Sequence, residues 1–176
     1  MTEPDLRALI RDIPDFPAAG ILFKDITPLL LDADALDQAV SEIAEWTRPR
    51  NVDFVVAADA RGFILGGAIA RELGVGFVPA RKPGKLPHET VAAEYILEYG
   101  VDALEMHADA LADGARVLLH DDLLATGGTA AALAELIEST GAEIVGCAFL
   151  VELAFLRGRD RLEGYDVHAL LTYDGE

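Results

Sequence analysis

Residues 117–136 read VLLHDDLLATGGTAAALAEL. With Arg116, the first part, RVLLH (116–120), has the length and apolar composition of a buried strand. It runs into two adjacent carboxylates, Asp121 and Asp122, and then into Thr-Gly-Gly-Thr at 126–129. TAAALAELIEST (129–140) reads as a helix that stops at Gly141. Strand, glycine turn and helix in this order make half of a β–α–β unit, and one such unit predicts others around it.

The flanking sequence supplies them. VDFVVAA (52–58) and VGFVPA (75–80) are short β-branched strands on either side of RGFILGGAIARELG (61–74), a helix closed by Gly74. AEIVGCAFLVEL (142–153) and VHALLTY (167–173) add two more strands, and EYILEY (94–99) alternates like another. Asp32 or Asp34 can cap a helix whose Leu36, Val40, Ile43 and Ala44 form one apolar stripe. Residues 2–12 carry Leu6, Leu9 and Ile10, with Ile13 just beyond, at the spacing of a short amphipathic helix, and 13–30 are expected to be irregular because Pro14, Pro17 and Gly20 interrupt them. RKPGKLPHET (81–90), with two prolines and a glycine, reads as an exposed, mobile loop. The fold expected is α/β: a doubly wound, mostly parallel sheet flanked by helices. Ligands of such sheets sit at the carboxyl ends of the strands, where Asp121 and Asp122 fall.

Composition narrows the ligand. The 176 residues suit one domain, spanning 1–176, with a core of its own. A net charge of −17 argues against nucleic-acid or anionic-membrane partners. MTEPDLRALIRDIPDF has no apolar leader core, and no apolar run approaches the roughly 18 residues of a membrane span. Cys147 stands alone in an apolar run, which fits a reducing, cytoplasmic setting. The three lysines are Lys24, Lys82 and Lys85, and two of them lie in RKPGK. A small cationic segment on an acidic chain points to a specific polyanionic ligand.

The glycine turn can hold a phosphate. Its glycines admit close backbone approach, the N–H groups opening the helix point outward, and Thr126 and Thr129 add hydroxyl donors. No GxxxxGK[ST] occurs, so this is not a nucleotide-triphosphate loop of the Walker type. Two acids beside a phosphate would repel it unless hydroxyls stand between them. A ribose 5-phosphate meets that condition, with its phosphate on the turn and its 2- and 3-hydroxyls donating to Asp121 and Asp122. The same acids suit a sugar carbon that becomes cationic in a transition state.

HDDLLATGGT (120–129) resembles the phosphoribosyl-pyrophosphate motif of the type I phosphoribosyltransferases. The adenine branch of that family is matched over nearly the whole chain: IRDIPDFPAAGILFKDITPLL (10–30), DARGF (59–63), RKPGKLPHET (81–90), LEYG (97–100) and LVEL (150–153). The resemblance implies transfer of phosphoribosyl from phosphoribosyl pyrophosphate to adenine, giving AMP and pyrophosphate, in a homodimer. It implies Mg²⁺ held mainly by substrate oxygens and water, with no side chain as a direct metal ligand. A phosphoribosyltransferase for another purine base, or a non-catalytic sensor of phosphoribosyl pyrophosphate, are the alternatives.

Roles carry over residue by residue. Glu98, Arg61 and Lys85 are the implied catalytic groups. Asp121, Asp122, Ala125, Thr126, Gly127, Gly128 and Thr129 would bind ribose phosphate, and Arg61, Arg81, Lys82 and Lys85 pyrophosphate. Adenine would lie against Leu22, Phe23, Lys24 and Leu153, with residues 1–30 as a hood. The loop around Arg61 would contain a non-proline cis peptide. This chain departs from the family at Lys24 (often arginine), Ala60 (often serine) and His120 (usually aliphatic); His88, in the loop, has no role assigned. Alanine at 125 replaces the aspartate of the 6-oxopurine enzymes, leaving Glu98 as the carboxylate for proton transfer.

Overall fold

The computed structural model describes residues 4–97 and 100–175. Among them a parallel sheet of five strands forms the centre, in the order β4-β3-β7-β8-β9: Gly76–Ala80 (β4), Phe54–Ala58 (β3), Arg116–Leu124 (β7), Glu143–Leu153 (β8) and Val167–Tyr173 (β9). Ala33–Thr47 (α2) and Gly62–Leu73 (α3) cover one face, and Gly128–Glu138 (α4) covers the other. Along β7 consecutive side chains point to opposite faces, so Leu118 joins the cluster with Ile43, Leu65 and Ile69, and Leu119 the one with Leu133, Leu136 and Ile137. All of these side chains are fully buried, each stabilising by roughly 1.5–3 kcal/mol. The doubly wound sheet is as the sequence pattern predicts.

The cap of α2 is also as predicted: the Asp32 carboxylate accepts from the N–H groups of Asp34 (3.1 Å) and Ala35 (3.0 Å). The N-terminal region differs. Residues 2–12 are not one helix; a single 3-10 turn covers Leu6–Leu9, and Arg11–Pro14 (β1) pairs antiparallel with Leu22–Asp25 (β2). Leu6 and Ile10 are buried as the spacing anticipates, but pairing with β2 outweighs helical spacing beyond Ile10. Thr27–Leu31 (α1) follows, so 13–30 belongs to a hairpin and a helix and is not an irregular segment.

Two further differences bear on the site. Thr90–Leu97 (β5) starts earlier than alternation predicts, and Gly100–His107 (β6) pairs antiparallel with it. Asp102 and Glu105 obscure the apolar pattern of β6, whose Leu104 and Met106 are buried. And β7 does not stop at His120: it continues to Leu124 beside β8, so Asp121 and Asp122 lie within the strand. Only its pairing with β3 ends at His120.

Candidate active site

A cavity of about 300 Å³ opens where β3 and β7 stop pairing. Asp121, Asp122 and the turn from Ala125 through Thr129 form one wall, and Asp59, Ala60, Arg61 and Lys82 form another. Segments far apart in sequence thus meet at the carboxyl ends of the strands. Gly127 takes φ +81° and caps α4, whose first residues, Gly128, Thr129 and Ala130, line the cavity. The Asp59–Ala60 peptide is cis.

The electrostatics answer the puzzle of two acids beside an anion cradle. Asp122, 5% exposed, accepts from Arg61 Nε at 2.6 Å. Burial, and then the Asp122 charge, push the Asp121 carboxyl well above its ordinary pKa. Its oxygen lies against the start of α3, where a Cβ on Gly62 would stand 2.7 Å from Oδ1. One acid is therefore paired and the other shifted toward its neutral form, so the wall does not present two bare charges to a phosphate.

His120 precedes the acids and is fully buried. Its Nδ1 lies 2.9 Å from the carbonyl of Ala148 and so carries the proton; Nε2 has no partner among the described residues. Burial lowers its pKa to about 4, which makes it neutral at neutral pH.

The loop cations are arranged less directly. Arg81 forms a backbone bridge to Glu105 and places Nε 3.2 Å from Asp59 Oδ2. Lys82 reaches the cavity and pairs with Asp102 of β6. Lys85 is exposed, and its carbonyl accepts from Arg81. His88 is exposed too, 3.8 Å from Asp109. Glu98 lies outside the described residues.

The residues expected around a base do not line this cavity. Phe23 stands next to it: the Arg61 guanidinium lies 5.2 Å from its ring, and Phe16 packs edge-on at 5.1 Å. Leu22 is half-buried on the hairpin, and Leu153 is in the core. Lys24, 5% exposed, donates to Asp12 at 2.7 Å and lies over the Tyr173 ring, so it ties the hairpin to β9. The sequence reading quoted Asp59 within DARGF without giving it a role, and it missed the segment behind the turn, 154–162; a glycine-arginine pair shortly after strand β8 was the available signal.

A parallel sheet carrying an acid pair, a phosphate-type turn and converging cations at its carboxyl edge defines a type I phosphoribosyltransferase. Residues 29–170 match the phosphoribosyl transferase domain family. The adenine phosphoribosyltransferase of Thermotoga maritima is 56% identical over 98% of this chain and 100% of its own. The crystal structure of the Thermoanaerobacter pseudethanolicus adenine phosphoribosyltransferase superposes with a TM-score of 0.95 at 52% identity, covering 98% of this chain and 100% of that one. The Saccharomyces cerevisiae enzyme, complexed with an imino-altritol bisphosphate and adenine, gives 0.91 at 38% identity over 95% and 97%. This chain belongs to the adenine phosphoribosyltransferase family.

Proposed function

We propose that the chain moves the 5-phosphoribosyl group of phosphoribosyl pyrophosphate onto N9 of adenine, releasing pyrophosphate and forming AMP. The observation that carries this reading is the single cavity joining the acid pair and the turn to Arg61 and Lys82. In it the turn 125–129 takes the 5-phosphate on helix amides and threonine hydroxyls. Asp121 and Asp122 accept from the ribose hydroxyls, and Asp122, paired with Arg61, favours positive charge developing at the anomeric carbon. Arg61, Arg81, Lys82 and Lys85 hold the pyrophosphate as it leaves with the bonding electrons. Adenine enters on the hood side, residues 1–30, against Leu22, Phe23, Lys24 and Leu153; the Phe23–Arg61 contact puts that side next to the cavity. Glu98 holds the proton exchanged with the base.

Mg²⁺ fits the donors present. Asp121 and Asp122 offer only oxygen at the cavity wall, which suits a hard cation that keeps its waters and rides on substrate phosphates. Bound, it would neutralise part of the pyrophosphate charge. No described helix is long and apolar enough to cross a membrane. We assign the protein to the cytoplasm, as one domain over 1–176 acting as a homodimer whose loop cations reach toward the partner site; sedimentation showing a fully active monomer would refute the dimer.

The test is pyrophosphate release from phosphoribosyl pyrophosphate and Mg²⁺ with a panel of bases. Adenine should exceed hypoxanthine in kcat/KM by up to about 10⁴-fold, because acceptors placed for the 6-amino group would face an oxygen. Glu98→Gln should lower kcat by roughly 10²–10⁴-fold with little change in phosphoribosyl-pyrophosphate affinity. Comparable turnover of hypoxanthine would overturn the base assignment.

A further inference from the structure

The phosphate turn has a back as well as a front. Behind Gly127 lies Gly158, and the two backbones touch. A Cβ on Gly127 would overlap the Gly158 carbonyl oxygen and come within 3.1 Å of its Cα. A Cβ on Gly158 would overlap the Ala125 carbonyl oxygen and stand 3.1 Å from the Gly127 nitrogen. The position of the turn therefore depends on whatever holds Gly158.

Gly158 belongs to the crossing from β8 to β9, two short 3-10 turns (Ala154–Leu156 and Gly158–Leu162) joined at Arg157. Leu162 anchors this crossing in the core, and a charged side chain ties it to the sheet. Arg159 Nε and Nη2 donate to the two oxygens of Glu152 at 2.6 and 2.7 Å, while Nη1 donates to the Val167 carbonyl at 2.8 Å. The fork thus bridges the end of β8 and the start of β9. Glu152 is 4% exposed and pairs in register with Leu124, one residue before the turn. A planar, two-pronged contact fixes direction as well as distance, which a lysine ammonium cannot reproduce.

We propose that Arg159, through Glu152, is a positioning residue for phosphate binding: it holds Gly158 against Gly127 and so sets where the amides of the turn stand. This rests on the turn being the 5-phosphate site. Arg159 donates to Glu152 and Val167 and reaches the turn through Gly158, whereas the hood residues Leu22, Phe23 and Lys24 stand on the separate β1–β2 hairpin, so its effect falls on ribose-phosphate binding and not on the base. A displacement of about 1 Å at a binding group is enough to cost on the order of 10²-fold when it is rigidly transmitted.

The test compares Arg159→Lys with the double variant Glu152→Leu/Arg159→Met, which leaves no unpaired buried charge and keeps the protein folded if the single variant is not. Calorimetric affinity for ribose 5-phosphate, KM for phosphoribosyl pyrophosphate and KM for adenine are measured on each, together with Thr129→Val. Both Arg159 variants should lose roughly tenfold in ribose 5-phosphate affinity and KM for phosphoribosyl pyrophosphate, with adenine KM unchanged. Unchanged ribose 5-phosphate affinity, or equal losses for sugar and base, overturns the proposal. Thr129→Val separates the two ways of failing: if it weakens ribose 5-phosphate and the Arg159 variants do not, only the buttress is wrong. If none of the three has an effect, the turn is not the phosphate site.

Discussion

The two walls of the cavity are held in different ways. The turn wall is fixed by backbone: it grows from a strand buried between helices and rests on Gly158, main chain against main chain. On the opposite wall Asp59, Ala60 and Arg61 link β3 to α3, but its loop part, from Arg81 onward, starts with one backbone bridge to Glu105 and is then held mainly by charge. Lys82 pairs with Asp102, Arg81 with Asp59, and the Gly84 N–H donates to Glu105 Oε2 at 3.0 Å. Packed backbone has one arrangement, whereas an ion pair can exchange a carboxylate for a phosphate. For the polyanion proposed above, the backbone-held wall would orient and the charge-held wall would close.

The largest effect should come from breaking the fixed part. Gly127→Val brings a branched side chain to a φ of +81° and drives it into Gly158. No calorimetric binding of phosphoribosyl pyrophosphate should remain. Affinity equal to wild type would mean that the turn is not held as described.

The fixed part should also respond to acid through His120. Its folded pKa, about 4, lies below the ordinary 6.5. Between those values the unfolded chain binds a proton that the folded chain refuses. This contribution is complete above pH 6.5 and is lost as pH falls toward 4, about 3 kcal/mol in all. Asp121, His168 and the other titrating groups are common to wild type and His120→Leu, so the difference between their stability profiles isolates this residue. Denaturant melts should show the two profiles converging or crossing over that window; parallel profiles would mean His120 is not buried as a neutral ring.

The same division governs what could be read in advance. Strands β3, β4, β7, β8 and β9 and helices α3 and α4 were legible because the buried part needs apolar runs and glycine stops. The acid pair and the turn were legible as one cavity wall because they stand close together in sequence, at the end of one strand and the start of the next helix. Regions held by long-range pairing were not. Ile13 keeps the helical spacing of Leu6 and Ile10 yet lies in β1, because Leu22–Asp25 pairs with it. Strand β6 sets Glu105 between Leu104 and Met106 and carries Asp102 ahead of them, so the carboxylates that anchor the loop break its apolar pattern, and Gly158 matters through contacts more than 30 positions away in sequence, at Ala125 and Gly127.

The smallest effect concerns the movable wall and is the sharpest test of the contrast. The side chains of Lys82 and Asp102 are 44% and 24% exposed, a range in which an ion pair contributes about 0.2–1 kcal/mol. Asp102→Asn should speed amide exchange over 83–90 in the free protein by up to about fivefold. The Arg81 amide should keep its protection, because it donates to the Glu105 carbonyl and owes nothing to Asp102. Since Asp102 and pyrophosphate would compete for the same ammonium, pyrophosphate affinity should rise by the same factor that the loop loosens. At roughly 1 M salt, where the Debye length is about 3 Å, the difference between variant and wild type should shrink, while the consequences of Gly127→Val stay as they are. Unchanged exchange and unchanged pyrophosphate affinity would show that the loop is held by packing like the turn, and the two walls would not differ in kind.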